Sequence, residues 1–209
     1  MSIDVCKDRF AVTATAETAT DPKRARILDG ALKMFLAYGF SRTTMDDIAR
    51  AAEVSRPALY LLFRNKTDIY RALASILLEG SCAKAKVALA TGKPLGERMW
   101  LAIDTAIISV MAEISESPHG AEILDMKGSL AGDVVEAWRS TLVGHFAAAI
   151  ESEAKTTGAD LAVRGLSPMM LADMLFDGLE GMKMRITGAE EQRKAVRGLV
   201  RVIELSIQA

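Results

Sequence analysis

Aromatic residues are scarce in this sequence, at 5% of its 209 positions, whereas alanine, leucine and methionine are plentiful. Large aromatic side chains are enriched in strands, while Ala, Leu and Met are good helix formers. The composition therefore argues against a β-sandwich or β-barrel and predicts an all-α protein.

Cysteine and long apolar runs are also nearly missing. Cys6 and Cys82 cannot build a disulfide framework, which is typical of an intracellular chain. The first ten residues contain no apolar stretch of signal-peptide length. The most apolar window, 99–112, is interrupted by Asp104 and is too short to cross a bilayer. We therefore expect a cytoplasmic protein with no membrane partner.

Patterns that indicate catalysis are missing as well. The sequence has no nucleophile elbow, no phosphate-binding glycine loop and no supported Ser/His/Asp arrangement. His119 and His145 are the only histidines, and no Cys or carboxylate cluster at ligand spacing accompanies them. We expect no catalytic residue, no metal site and no cofactor, and hence a binding protein rather than an enzyme.

Charge is unevenly distributed along the chain. Residues 22–72 contain ten Lys and Arg against five acidic residues, whereas residues 73–209 contain fourteen against eighteen. A basic module joined to an acidic remainder indicates that the module binds a polyanion, although uneven surface decoration would give the same count. The local sequence of the basic module has to decide between these interpretations.

The N-terminal part predicts a flexible tail followed by a small helical domain. Residues 1–20 are rich in Ala and Thr without helical periodicity, so we expect a tail there. Asp21 and the following proline form a typical helix start, and Gly39 a typical helix end. We place this helical domain at 21–81 and a second domain at 82–209.

Two short helices at about 44–63 predict a helix-turn-helix. Thr43 or Thr44 can cap the first of them, and Ser55 the second. The second helix then exposes a short basic face formed by Ser55, Arg56, Pro57, Ala58 and Tyr60. Such a face can enter a major groove, where an arginine presents two parallel N–H donors to guanine. A hairpin buried in a larger bundle is the alternative, but it would not need a basic face; Tyr60 could still be a core residue.

The same stretch resembles the N-terminal domain of the TetR/AcrR family of bacterial transcriptional regulators. The resemblance covers about fifty residues in the family's order and spacing. It is carried by Ala31, Phe35, Gly39, Phe40, Thr43-Thr44, Ile48-Ala49, Ala52, Val54-Ser55 through Leu59-Tyr60, Phe63 and Lys66. The resemblance implies a three-helix DNA-binding domain followed by a larger helical ligand-binding and dimerisation domain, with about nine helices in all.

Residue roles follow from the resemblance. It implies that Thr44, Tyr60 and Lys66 bind phosphates, with Thr43 beside them, and that the residues after Ser55 read bases. Two positions depart from the family pattern: Glu53 stands where glycine is usual, at a turn that we expect to need a positive φ, and Met45 replaces a longer polar side chain.

The C-terminal sequence predicts five more helices and an apolar stripe on the last two. The helices are expected at 95–116, 119–127, 130–155, 166–185 and 189–207. Packing within the chain would explain the stripe, but the resemblance implies a four-helix dimer interface. The candidate interface residues are Leu171, Leu175, Gly178, Leu179, Met182, Val196, Leu199, Val200 and Ile203. A two-fold dimer would bind a palindromic double-stranded operator.

The resemblance also implies a ligand pocket in the middle helices. Flexible methionines suit apolar or aromatic ligands, although each single one can equally be plain core. The candidate lining residues are Met99, Trp100, Met111, Met126, Trp138, Phe146, Met170 and Met174. The sequence thus predicts a homodimeric repressor that an unknown small ligand releases from DNA. Control by a protein partner, or by oxidation of Cys82, is the alternative.

Overall fold

The computed structural model describes residues 21–208, so the predicted tail at 1–20 lies outside the described residues. Within that range all regular secondary structure is helical, which confirms the all-α prediction. In chain order the helices are α1 (Pro22–Tyr38), α2 (Met45–Ala51), α3 (Arg56–Leu62), α4 (Lys66–Leu89), α5 (Leu95–Ile103), α6 (Ser109–Ser115), α7 (Gly120–Asp125), α8 (Lys127–Thr157), α9 (Pro168–Lys183) and α10 (Ala189–Ile207). A π-helical segment, Asp104–Ile108, joins α5 to α6 without a break. The described chain therefore forms nine continuous helices, as expected.

Helix starts lie where the capping residues predict them. The Asp21 carboxylate accepts hydrogen bonds from the backbone N–H groups of Lys23 (2.9 Å) and Arg24 (3.3 Å). The Ser167 hydroxyl accepts one from the backbone N–H of Met170 (3.1 Å), and a proline follows each cap. These side chains satisfy N–H groups that have no partner within the helix, which fixes where the helix begins.

The expected break near residues 127–130 is present, but it lies at Met126, between α7 and α8, and a kink follows at Ala131. The sequence predicts a helix ending at 127 and another starting at 130, and in the structure α7 ends at Asp125 and α8 runs from Lys127 to Thr157. Ala131 interrupts its regular geometry, with φ −143° and ψ 31°. No proline lies in this stretch to stop the chain from continuing as a helix.

The chain divides into two compact units, and the division differs from the single cut expected after residue 81. The first unit contains residues up to Gly80 together with Glu113–Val135. The second contains Ser81–Ala112 and the chain from Glu136 onward. The three boundaries fall inside α4, α6 and α8.

The second unit has its own apolar core. Phe146 and Phe176 meet edge to face, with ring centroids 5.6 Å apart, and both are buried. Ser81 is the polar residue of this core: its hydroxyl donates to the Ala106 carbonyl (2.7 Å) and accepts from the Trp138 indole N–H (3.1 Å). Because both of its hydrogen bonds are made, its burial does not leave a polar group unsatisfied.

Among the helices that the structure describes, none combines the length and the apolar character needed to cross a membrane.

Candidate nucleic-acid interface

A capping box opens α2, and Thr44 rather than Thr43 is its cap. The Thr44 hydroxyl accepts a hydrogen bond from the Asp47 backbone N–H (3.2 Å). The Asp47 carboxylate in turn accepts from the Thr44 hydroxyl (2.6 Å) and backbone N–H (3.0 Å). These bonds, led by the one from the hydroxyl, lower the pKa of Asp47 below its usual value. The box fixes the start of the helix that supports the recognition helix.

The turn between α2 and α3 adopts the left-handed backbone expected there. Glu53 has φ 54°, and it is the only residue other than glycine with a positive φ in the described chain. At the same end of α2, a Cβ on Gly30 would lie 3.0 Å from the backbone nitrogen of Ala52. Glycine in α1 therefore allows the end of α2 to approach closely.

Helix α3 presents the exposed face that the sequence predicts. Ser55 caps it by accepting a hydrogen bond from the Ala58 backbone N–H (3.3 Å), and Leu59 is fully buried beneath it. Ser55, Arg56, Pro57 and Tyr60 are exposed and Ala58 is half-buried. Tyr60 is 41% exposed, which excludes the core-tyrosine alternative within the protomer.

Sequence reasoning missed Leu61, whose side chain is 86% exposed on the same helix. The signal is present in the sequence, because the buried stripe of α3 begins at Leu59 and continues at Phe63, four residues on, which leaves Leu61 on the opposite side. An exposed leucine on a recognition helix can contact a thymine methyl group.

Arg56 is already engaged with its neighbours. Its Nη1 donates to the Asp46 carboxylate of α2 at 2.8 Å, and its guanidinium lies 5.5 Å from the centre of the Tyr60 ring. These contacts hold the arginine on the outer surface of the helix-turn-helix.

Thr43 and Lys66, which sequence reasoning expects to contact DNA, both hydrogen-bond to the α1–α2 loop. Thr43 is 2% exposed, and its hydroxyl donates to the Gly39 carbonyl (2.7 Å). The Lys66 ammonium donates to the carbonyls of Phe40 (2.8 Å), Ser41 (3.1 Å) and Thr43 (3.1 Å). An ammonium has three donors, so these carbonyls use all of them. The burial of Thr43 contradicts a direct contact with DNA, whereas the half-exposed Lys66 lies against the loop carbonyls.

The helix α7, from the section of the chain expected in the second domain, also contacts this loop. The Glu122 carboxylate accepts hydrogen bonds from the Ser41 backbone N–H (3.0 Å) and hydroxyl (2.8 Å), and these bonds lower the pKa of Glu122. The Tyr70 hydroxyl donates to the Ile123 carbonyl (2.7 Å), and burial raises the pKa of Tyr70 to about 12.

A bidentate ion pair joins α4 to α8 within the same unit. Arg71 donates from Nη1 and Nη2 to the two carboxylate oxygens of Asp133, at 2.7 and 2.6 Å. The hydrogen bonds from Arg71 lower the pKa of Asp133 to about 2. Together with Glu122, this pair fastens the 113–135 segment to the rest of the first unit.

The predicted pocket residues occupy different environments: Met99, Phe146, Trp100 and Trp138 belong to or pack against the core of the second unit. Met99 and Phe146 are fully buried core residues, whereas Met170 and Met174 are exposed on α9. Met126 lies in the first unit, separate from the others in the candidate set. Trp100, Met111 and Trp138 are half-buried. The periodicity that selected these residues marks helix faces, and it does not distinguish a cavity lining from a packed core.

One open cleft of about 500 Å³ lies in the first unit, and none of the predicted pocket residues lines it. It is lined by Met34, Tyr38, Arg42, Thr43, Asp47, Arg50 and Ala51.

The part of the chain that the structure describes holds no group of three His, Cys, Asp or Glu residues that could bind a metal.

The predicted dimer stripe faces the inside of the protomer. Leu171, Leu175, Leu179, Met182, Val196, Val200 and Ile203 are all buried in the core of the second unit. Gly178 and Leu199 are half-buried against each other, since a Cβ on Gly178 would lie 3.1 Å from the Leu199 side chain. The stripe therefore packs α9 on α10 within the protomer, which corrects the expectation that these residues face a second copy.

A second stripe on the same two helices is exposed. On α9 it contains Met170, Met174 and Gly181, and on α10 Gly198, Val202 and Leu205. A Cβ on Gly181 or Gly198 would meet no described atom within 4 Å.

The comparisons with known proteins agree with this geometry. The family model described as bacterial regulatory proteins, tetR family, matches residues 27–73, which contain α2 and α3. TtgW of Pseudomonas putida, an uncharacterized HTH-type transcriptional regulator, is 33% identical over 115 residues, which are 54% of this chain and 81% of TtgW. SrpR of Pseudomonas putida, an HTH-type transcriptional regulator, is 34% identical over 106 residues, or 50% of this chain. The chain spans less than half the length of two such relatives, 46% of SrpR and 42% of YhgD from Bacillus subtilis.

Solved structures share the fold. SmeT, the repressor of the Stenotrophomonas maltophilia multidrug efflux pump SmeDEF, superposes with a TM-score of 0.61 at 18% identity, over 93% of this chain and 91% of SmeT. Another structure of SmeT is a complex with triclosan. Because the helix-turn-helix matches the tetR-family model and TtgW is covered over most of its length, the chain belongs to the TetR family of bacterial transcriptional regulators.

Proposed function

We propose that the protein is a homodimeric repressor that binds a palindromic DNA operator through α3. The observation that carries this proposal is the exposed face of α3, where Arg56, Pro57 and Tyr60 stand above the buried Leu59. The excess of basic residues in 22–72 supports it, because a polyanion is attracted to that module and not to the acidic remainder.

The residues of the helix-turn-helix divide into base readers and phosphate contacts. Arg56 is the candidate guanine reader, because a guanidinium donates two parallel N–H bonds to the O6 and N7 atoms of guanine. Tyr60 and Thr44 carry exposed hydroxyl groups suited to phosphate oxygens. Lys66 contributes indirectly by holding the carbonyls of the loop that precedes Thr44.

The proposed dimer contact is the exposed stripe of α9 and α10. Met170 and Met174 continue at helical spacing to Gly181, and Gly198 continues to Val202 and Leu205. A self-complementary apolar face of this kind suits a two-fold contact, in which the same surface serves both copies. Dimers of helix-turn-helix proteins bind half-sites about 34–36 Å apart, so we expect an inverted repeat.

A small apolar or aromatic ligand is the proposed inducer. The support is the triclosan complex of SmeT, which shares the fold, and one feature of the second unit. The Trp100 indole N–H is buried without a hydrogen-bond partner among the described residues, and the Arg197 guanidinium lies 4.3 Å from the Trp100 ring. A ligand with an acceptor atom would satisfy that donor. A ligand releases the operator only if it binds the DNA-free state more tightly.

The first test is selection of bound duplexes from a random pool at about 0.1 M salt, where nonspecific phosphate contacts are partly screened. We expect an inverted repeat that Arg56→Ala no longer selects. A folded wild-type protein that enriches no motif would contradict the proposal. With the selected operator, triclosan and related phenols can then be titrated into the complex, and Trp100→Phe should weaken release without changing operator affinity.

A further inference from the structure

The ion pair between Asp46 and Arg56 joins the two helices of the helix-turn-helix on its exposed surface. The 2.8 Å contact runs from Nη1 of Arg56 to Oδ2 of Asp46, and both side chains are half-exposed. The pair lies on the helix that we propose for base reading, so the inference drawn from it rests on the proposed function.

The geometry leaves the recognition edge of the arginine free. A guanidinium has five N–H donors, spread over Nε, Nη1 and Nη2. Asp46 takes a donor of Nη1, and Arg56 makes no other side-chain hydrogen bond within residues 21–208. Nε and Nη2 remain as a parallel pair of donors, which is the arrangement that fits O6 and N7 of guanine.

The ion pair between Asp46 and Arg56 contributes little to the stability of the fold. Exposed ion pairs contribute little to folding, because water screens the charges and two long side chains lose freedom. A fixed orientation is worth more in binding, where a flexible arginine would otherwise have to be ordered on contact with DNA. The Tyr60 ring, 5.5 Å from the guanidinium, limits the arginine from another side.

The carboxylate also opposes binding to the wrong sequence. Asp46 places a negative charge on the surface that meets the DNA phosphates, so it weakens binding to every duplex. Only a guanine that accepts both free donors of Arg56 compensates for that repulsion. A residue that lowers affinity for all sequences, and is offset at one base, raises the ratio between correct and incorrect sites.

We propose that Asp46 is a specificity-determining residue, which positions Arg56 for one guanine in each half-site and penalises duplexes that lack it. Asp46 itself contacts no base in this arrangement. It acts through Arg56, so its effect is measured as a change in base preference rather than in affinity alone.

The test compares operators that carry guanine or adenine at the selected position. The purified full-length protein is titrated against both duplexes and against an unrelated duplex, by fluorescence anisotropy. We expect Asp46→Ala to bind the unrelated duplex more tightly than wild type and to lose about fivefold of the guanine preference. Asp46→Asn keeps an acceptor without the charge, so it should tighten nonspecific binding and retain more of the preference.

Two controls separate charge from positioning. Glu53→Gln removes one negative charge from the same unit without a contact to Arg56, so it should strengthen binding to all duplexes alike. In an Arg56→Ala background, Asp46→Ala should change the guanine preference no further, because the two residues act as a unit. Circular dichroism of each variant checks that the helical content is unchanged.

The outcomes distinguish this inference from the proposed function. If wild type selects a motif whose guanine depends on Arg56, but Asp46→Ala keeps the full preference, the inference is overturned and the function stands. The inference is also overturned if Glu53→Gln alters the preference as much as Asp46→Ala does. If wild type selects no motif, the proposed function itself fails.

Discussion

The helix-turn-helix and the helix pair α9–α10 are both recognisable from sequence, but the sequence predicts the contacts of the first region better than those of the second. In the helix-turn-helix, the hydrogen bonds that fix helix starts join residues three apart, as between Thr44 and Asp47 or Ser55 and Ala58. In α9 and α10, the apolar stripe is equally clear in the sequence, yet it contacts the neighbouring helix rather than a second protomer.

The difference teaches what each kind of pattern determines. The partner of a capping residue is known from the sequence, because the backbone N–H group that it satisfies lies in the next turn of the helix. An amphipathic stripe says only that one face is covered, and the covering surface can belong to the same chain or to another copy. Because the larger stripe packs within the protomer, the smaller exposed stripe around Met174 and Val202 is the candidate dimer contact.

The largest expected effect separates the two stripes of α9. Leu175 is 2% exposed and Met174 is 57% exposed, although they are adjacent. We expect Leu175→Ala to lower the free energy of unfolding by about 2–5 kcal/mol, because it leaves a cavity in a packed core. Met174→Ala should change it by about 0.5 kcal/mol or less but weaken self-association. Urea unfolding and sedimentation over a range of protein concentrations measure both, and equal losses from the two variants would break the distinction.

Next in size is the effect of Lys66, the first residue of α4, whose hydrogen-bond partners are distant in the sequence. Lys66→Met removes the donors of three loop carbonyls, so we expect unfolding to become easier by about 1–3 kcal/mol. Lys84→Met, at an exposed position on the same helix, is the matched control and should leave the melting temperature unchanged. If Lys66 instead bound phosphate directly, its variant would melt normally and lower the salt slope of DNA binding by about one.

A smaller effect concerns the turn that follows α2. Glu53 has φ 54°, a conformation that strains any residue with a Cβ. We expect Glu53→Gly to raise the free energy of unfolding by up to about 1 kcal/mol, partly offset by the greater freedom of glycine in the unfolded chain. The melting temperature should rise by about 2–4 °C. Glu53→Ala loses the same charge but keeps the strain, so a rise of equal size in that variant would assign the effect to charge.

The smallest effect is a dependence on pH from the contacts that fasten the 113–135 segment. The pKa of Asp133 is about 2 in the folded protein, and that of Glu122 is also lowered. A depressed folded pKa gives stability that is present above the unfolded value near 4 and is lost as the pH falls toward 2. Between pH 5 and 8 this contribution should be constant. Asp133→Asn should flatten the acid side of the profile, measured as denaturation midpoints at pH 7 and pH 3. An unchanged profile would show that the Arg71 pair does not contribute.

Much of the fold is predictable because its signals are local. Asp21, Ser55 and Ser167 cap helices where the sequence places them. The positive φ at Glu53 is expected because glycine is usual at this turn in the family. The sequence predicts a new helix from residue 130, and the structure starts α8 three residues earlier, at Lys127, with a kink at Ala131.

The site is predictable only in part, for a physical reason. The exposed face of α3 follows from its period, including Leu61, which sequence reasoning missed. The partners of Lys66 lie 23 to 26 residues upstream, and Glu122 reaches Ser41 across 81 residues. Such contacts depend on the path of the folded chain, and the spacing of residues in the sequence does not predict them. The pocket candidates are spread over buried, half-buried and exposed positions, because helical periodicity marks apolar faces and does not distinguish a cavity lining from a packed core.

The π-helical segment 104–108 has a consequence for how this chain is aligned with its relatives. A hydrogen bond from residue i to i+5 instead of i+4 fits one extra residue into a turn, and one residue corresponds to about 100° of helical rotation. A relative whose helix is α-helical throughout needs a one-residue gap within this segment to bring equivalent faces into register. An ungapped alignment would compare buried positions with exposed ones from Ser109 onward, and residue-by-residue transfer of ligand contacts would begin to err there.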